Sequence, residues 1–190
     1  MRTQFPREWE KFEYWSARDF LVNVVTLRAH LAASSADKRI VNLRTNKLRS
    51  MREIWEACLF AHGLGSSVLC TEIYIAPIEN QDYDCIMQYV LDGIRHYVPV
   101  QIKELVPAHL NPNTTLQTEI DKLTKYRDSH DLVVAIHLNR QFRFDLEQLS
   151  IPKLPLSELW LFGSVTLDTS QLMLWGNLLN SPASYEYQYP

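Results

Sequence analysis

Two strand-like runs, YDCIMQYVL (83–91) and RHYVPVQIKEL (95–105), flank the dipeptide Asp92-Gly93. Asp-Gly suits a two-residue hairpin turn, because both central residues of that turn need positive φ. A tight turn here fixes the register. Leu91 faces Ile94, and stepping outward places Asp84 opposite Gln101. Opposed residues share a face, with Cβ atoms roughly 5 Å apart. Lys103 points to that same face and Glu104 to the other, because side chains alternate along a strand. A largely apolar hairpin thus aims a carboxylate, an amide and an amine at one place. Burying such charges without partners is costly. Two accounts fit: a cross-strand ion pair at a strand end, or a hydrated metal ion beside the carboxylate.

The 190 residues are enough for one ordinary domain with a sizeable core. Helical spacing of Phe12, Trp15, Phe20, Val24 and Leu27 predicts a helix over 6–32, with Pro6 in its first turn. Residues 33–39 read as a break. A second helix is predicted over 46–62, its stripe formed by Leu48, Met51, Trp55, Cys58 and Leu59, with Gly63 and Gly65 as its stop. The run 67–77 is β-branched and aliphatic and predicts a strand. Turn residues and a Thr cap introduce a helix over 114–128, and DLVVAIHL (131–138) reads as a strand buried on both faces. QFRFDLEQL (141–149) suggests an edge strand. LWLFGSV (159–165) and LMLWGNLL (172–179) are further apolar pieces of a β-rich end, and SPASYEYQYP (181–190) reads as a poorly ordered tail. The order predicts the α/β class, a mixed sheet with helices packed around it.

The segment carrying Asp84, Gln101 and Lys103 resembles the PD-(D/E)XK nuclease superfamily, in its Gln-x-Lys variant. That family places an Asp on one strand and Glu-x-Lys or Gln-x-Lys on the next. Its αβββαβ core order is matched by helix 46–62, the three strands of 67–105, helix 114–128 and strand 131–138. Among its members, archaeal Holliday-junction resolvases are the most similar. The resemblance covers roughly residues 46–145 and implies a restriction-endonuclease-like fold for a nuclease-like core (46–150); outside it, an N-terminal helical extension (1–45) and a C-terminal extension packed on the core with a flexible tail (151–190) are expected. It also implies metal-dependent hydrolysis of DNA. Asp84, Gln101 and the Ile102 carbonyl would hold Mg²⁺ or Mn²⁺, hard cations that prefer oxygen ligands. Lys103 would orient the attacking water or stabilise the transition state. Glu53 on the first helix is the favoured fourth residue, with Glu56 and Glu72 as alternatives. No proline precedes Asp84, and Gln101 stands where Glu is commoner.

Charge adds a partner expectation. Residues 1–52 hold eleven Lys and Arg against five Asp and Glu, whereas the whole chain holds 19 against 22. Arg39, Arg44, Lys47, Arg49 and Arg52 lead into the second helix and could track a DNA backbone, or form a solvated surface. A homodimer or a protein partner is a further expectation. No nucleophile elbow, Walker sequence, dinucleotide fingerprint or zinc-ligand spacing occurs. The six histidines read mostly as surface or loop residues. Cys58, Cys70 and Cys85 make no C-x-x-C pair and read as reduced thiols. No apolar run suggests a membrane span and the N-terminus lacks a signal-like stretch, so the expected location is cytoplasmic. Two rival functions stand beside the nuclease: a catalytically degenerate relative serving DNA binding or assembly, and an unrelated α/β protein-interaction module.

Overall fold

The computed structural model describes residues 6–78, 82–166 and 171–190. The predicted hairpin is its centre. Strands β3 (Cys85–Leu91) and β4 (Ile94–Leu105) are antiparallel, with Leu91 opposite Ile94 and Cys85 opposite Val100. Asp92 and Gly93 have φ of 50° and 74°, as a type I′ turn requires.

The described residues form one eight-stranded mixed sheet in the order β1 to β8. On one side of the hairpin, β2 (Tyr74–Pro77) pairs with β3, and β1 (Trp15–Ser16) pairs with β2, both antiparallel. On the other side, β5 (Ser129–Leu138) and β6 (Leu156–Ser164) continue from β4 in parallel. Strands β7 (Gln171–Gly176) and β8 (Ala183–Gln188) close the sheet in antiparallel pairing.

Helices cover both faces. α1 (Ala17–Ala33) and α3 (Arg49–Leu64) bury Leu21 and Phe60 against Ile75, Met87, Ile102 and Phe162. α4 (Leu116–Asp121) buries Leu116 and Ile120 against Leu105, Val134, Ile136 and Leu161 on the opposite face. A short helix, α2 (Lys38–Val41), links α1 to α3. Alternation along β4 follows: Gln101 and Lys103 share the α4 face with Leu105, and Glu104 shares the α3 face with Ile102.

Several elements differ from the sequence expectation, each for a physical reason. α1 starts at Ala17 rather than near Pro6, because Trp15–Ser16 is spent on β1 and the Asp19 N–H donates to the Ser16 Oγ cap at 3.2 Å. Gly63 and Gly65 do not stop α3. The helix runs through them into a π turn (Gly65–Leu69) that leaves at Cys70, with φ of 51°. A Cβ on Gly63 would stand 2.6 Å from the Tyr187 ring, and one on Gly65 2.5 Å from the Thr71 carbonyl oxygen, so these glycines permit close approach. The strand expected over 67–77 is therefore only β2. The helix expected over 114–128 is α4 followed by a 3₁₀ turn, Lys122–Lys125. Residues 141–149 hold a 3₁₀ turn, Leu146–Gln148, instead of a strand, with Phe144, Leu146 and Leu149 packed under the α4 face. The tail is not loose: 183–188 is β8, with Tyr187 buried.

Candidate functional site

Asp84 sits one residue before β3, tied by its backbone to β4 on one side and to the end of β2 on the other. Its N–H donates to the Val100 carbonyl at 2.8 Å, and its carbonyl accepts from the Ile78 N–H at 3.0 Å. The side chain is thereby aimed at β4. Asp84 Oδ2 accepts the Ile102 N–H at 2.7 Å and a side-chain bond from Gln101 Nε2. That same amide nitrogen lies 3.3 Å from the Ile102 carbonyl oxygen. Gln101 is buried, while Asp84 and Lys103 are half-buried at its two sides.

Burial sets the electrostatics. It raises the Asp84 carboxyl above its ordinary value, and the Ile102 N–H and Lys103 offset this only in part. It lowers the Lys103 amine, against the pull of the Asp84 carboxylate. Glu53 bears electrostatically on both groups. Tyr126, after α4, is pushed up to about 12 by burial and then by the carboxylates of Asp84 and Asp82. Asp84, Gln101, Ile102 and Lys103 are thus brought together, whereas Glu53, on α3, is paired to Arg49 at 2.8 Å. Glu72 is drawn elsewhere: the hydroxyls of Ser16 and Tyr74 donate to it at 2.7 and 2.9 Å at the far edge of the sheet.

The chain matches no family model, no curated protein and no solved structure.

A second polar cluster lies across β4, on the α3 face. Glu56, Glu104 and His137 present ligand atoms all within 4.8 Å of one another, an arrangement that could hold a metal ion. His137 Nδ1 is 3.2 Å from Glu56 Oε1, and its ring stacks on Phe162 with centroids 4.9 Å apart. Arg44 binds both Glu104 oxygens, Asn139 Nδ2 donates to Glu104 Oε1 at 2.7 Å, and Arg52 Nε lies 3.8 Å from Glu104 Oε2. Burial alone would raise Glu104, but the Arg44 and Asn139 hydrogen bonds outweigh it and hold the carboxyl below its ordinary value. Sequence reasoning missed this cluster: it weighed Glu56 only for the Asp84 site and read the six histidines mostly as surface or loop residues. The available signal was a charged or titratable residue inside an apolar run, at Glu56 and again at His137.

The five basic residues expected on a nucleic-acid surface divide. Arg44 and Arg52 turn inward to Glu104, so they do not form a free cationic surface. Arg39 pairs with Asp37 at 2.9 Å and Arg49 with Glu53, both exposed to solvent, and Lys47 is exposed. Among the described residues, no helix is long and apolar enough to cross a membrane.

Proposed function

We propose that the chain is a metal-dependent nuclease of the PD-(D/E)XK type, hydrolysing DNA phosphodiesters. The observation that carries this reading is the position of the Gln101 amide nitrogen. It lies between Asp84 Oδ2 and the Ile102 carbonyl oxygen, two hard acceptors converging on one point. Asp84 and the Ile102 carbonyl would hold a divalent cation, and their oxygens suit Mg²⁺ or Mn²⁺. With its amide turned over, Gln101 offers a third oxygen. When bound, such a cation makes water a stronger acid and offsets charge on a phosphate. Lys103 would orient the attacking water or stabilise the transition state, and the neighbouring Asp84 carboxylate supports its charged form there. Glu53, whose charge reaches Asp84 and Lys103, would hold a metal-bound water. A reducing compartment, the cytoplasm, suits the three free cysteines.

The test is Mg²⁺-dependent cleavage of duplex, branched and single-stranded DNA by purified protein. Asp84→Asn and Lys103→Ala should each lower the rate by 10²-fold or more. Wild-type cleavage by Lys103→Ala would sink the assignment. No cleavage by the wild type, with metal bound at Asp84, would point to a degenerate relative. A second reading, a protein-interaction module, has its own support. α1 leaves Val22 and Val25 exposed one turn apart, a short apolar strip suited to a partner or a second copy. Light scattering of Val25→Glu beside the wild type tests it, with loss of self-association expected if the strip is an interface between copies.

A further inference from the structure

At the carboxyl ends of the parallel strands β4, β5 and β6 lies a cavity of about 910 Å³, on the α3 side of the sheet and away from Asp84. Arg28, Lys38, Arg39, Arg44, Arg52 and Arg140 line it, and Glu104 is the one carboxylate among its lining residues. Glu104 is shared by Arg44 and Arg52, and Arg39 is matched by Asp37. Of the remaining cations, Arg28 and Arg140 are held by uncharged groups. Arg140 donates to the carbonyls of Val106, Thr114 and Asn111 at 2.7–2.8 Å. Arg28 donates to Asn42 Oδ1 at 3.2 Å and lies over the Trp55 ring at 5.6 Å. Among the described residues, no carboxylate pairs with Arg28, Lys38 or Arg140, and the single carboxylate of Glu104 serves both Arg44 and Arg52. These bonds fix cations around a concave space without cancelling their charge, and such a space concentrates anions.

Between the cations the wall is apolar, formed by Leu43, Trp55, Leu59, Val106 and Leu138. A bare inorganic anion would leave that wall unused. The volume is that of a site for a drug-sized organic ligand. We propose that this cavity binds a nucleotide, with its phosphates held by Arg28 and Lys38 and its base against the apolar wall. The same chemistry is offered by a free nucleotide and by the phosphorylated end of a nucleic-acid strand. The proposal does not rest on the nuclease reading, because none of its residues belongs to the Asp84 site.

The test is equilibrium binding to the full chain in EDTA, which removes any metal-mediated contribution. The probes are ADP, a 5′-phosphorylated oligonucleotide, its hydroxyl-ended twin and orthophosphate. ADP should bind, with affinity falling at least tenfold in Arg28→Gln/Lys38→Glu and unchanged in Asp84→Asn. Lys38 is exposed, so Lys38→Glu alone keeps the test should the double variant fail to fold. If the phosphorylated oligonucleotide binds no better than its twin, the ligand is a free nucleotide. If it binds tenfold better and ADP displaces it, the ligand is a strand end. No ADP binding, binding unchanged in the charge variants, or displacement by orthophosphate as readily as by ADP would overturn the proposal.

Discussion

Lys103 and Glu104 are neighbours on β4 that face opposite ways: Lys103 toward Asp84, Glu104 into the grip of Arg44. One strand therefore carries two polar sites back to back. Their electrostatics differ in sign, and so do the expected effects of neutralising them.

At the Asp84 site, burial disfavours both charged forms. The raised Asp84 pKa contributes stability that is full below its unfolded value and lost as pH rises through the folded value. The lowered Lys103 pKa contributes stability that is full above its unfolded value and lost as pH falls through the folded value. Near neutral pH neither contribution is full. Asp84→Asn, which keeps an oxygen for the Ile102 N–H, should therefore raise stability by about 1 kcal/mol, or roughly 2–4 °C in Tm for a chain of this length. Thermal melts at pH 7 and near pH 4 should show the gain shrinking at the lower pH. A lower Tm for Asp84→Asn at pH 7 would refute it.

The Glu104 site behaves conversely. Its carboxyl is held below the ordinary range, so its stabilisation is full above the unfolded pKa and lost as pH falls through the folded value. Glu104→Gln leaves Arg44 and Arg52 without a countercharge. It should cost about 3 kcal/mol at pH 7 in urea unfolding, as removal of one partner from a buried ion pair does. The deficit should narrow toward acid pH.

Gln101→Glu places a second carboxylate against Asp84. Without metal, two like charges in a half-buried site repel, so the variant should melt below the wild type in EDTA. Mg²⁺ or Mn²⁺ should then raise its Tm by more than it raises the wild type's. Equal shifts would remove the metal from this site.

β8 is clamped to α3 at Gly63. Gly63→Ala drives a methyl into the Tyr187 ring, at a cost of about 1–3 kcal/mol. Tyr187→Leu in the same chain should recover part of that loss, read as a coupling energy in a double-mutant cycle. The Tyr187 hydroxyl is buried without a hydrogen-bond partner, so Tyr187→Phe should be neutral or stabilising by about 1 kcal/mol.

What was legible in the sequence was local chemistry. Asp92-Gly93 dictates its own turn, and register then brings Asp84, Gln101 and Lys103 together with no knowledge of the rest. The apolar run of β5 was equally readable. Gly63 and Gly65 were misread because a glycine inside a helix looks like a stop until the ring or carbonyl against it is known. β8 was misread because Ala-Ser-Tyr-Glu-Tyr-Gln is polar by composition, and Tyr187 is buried by α3 rather than by local pattern. The Glu56–His137 pair spans 81 residues, a separation over which no spacing rule operates.

Trp55 Nε1 donates to Tyr189 Oη at 2.8 Å, a contact between residues 134 apart. During synthesis at roughly 5–20 residues per second, α3 emerges well before the strand that covers part of its face. For that interval Trp55 and the Gly63 notch have no Tyr189 or Tyr187 to meet. Closing so long a loop comes late, because its entropy must be spent before the contact returns anything. The nascent chain thus passes through a stage with an apolar helix face uncovered, and it is there, rather than in the finished fold, that a chaperone would find its grip.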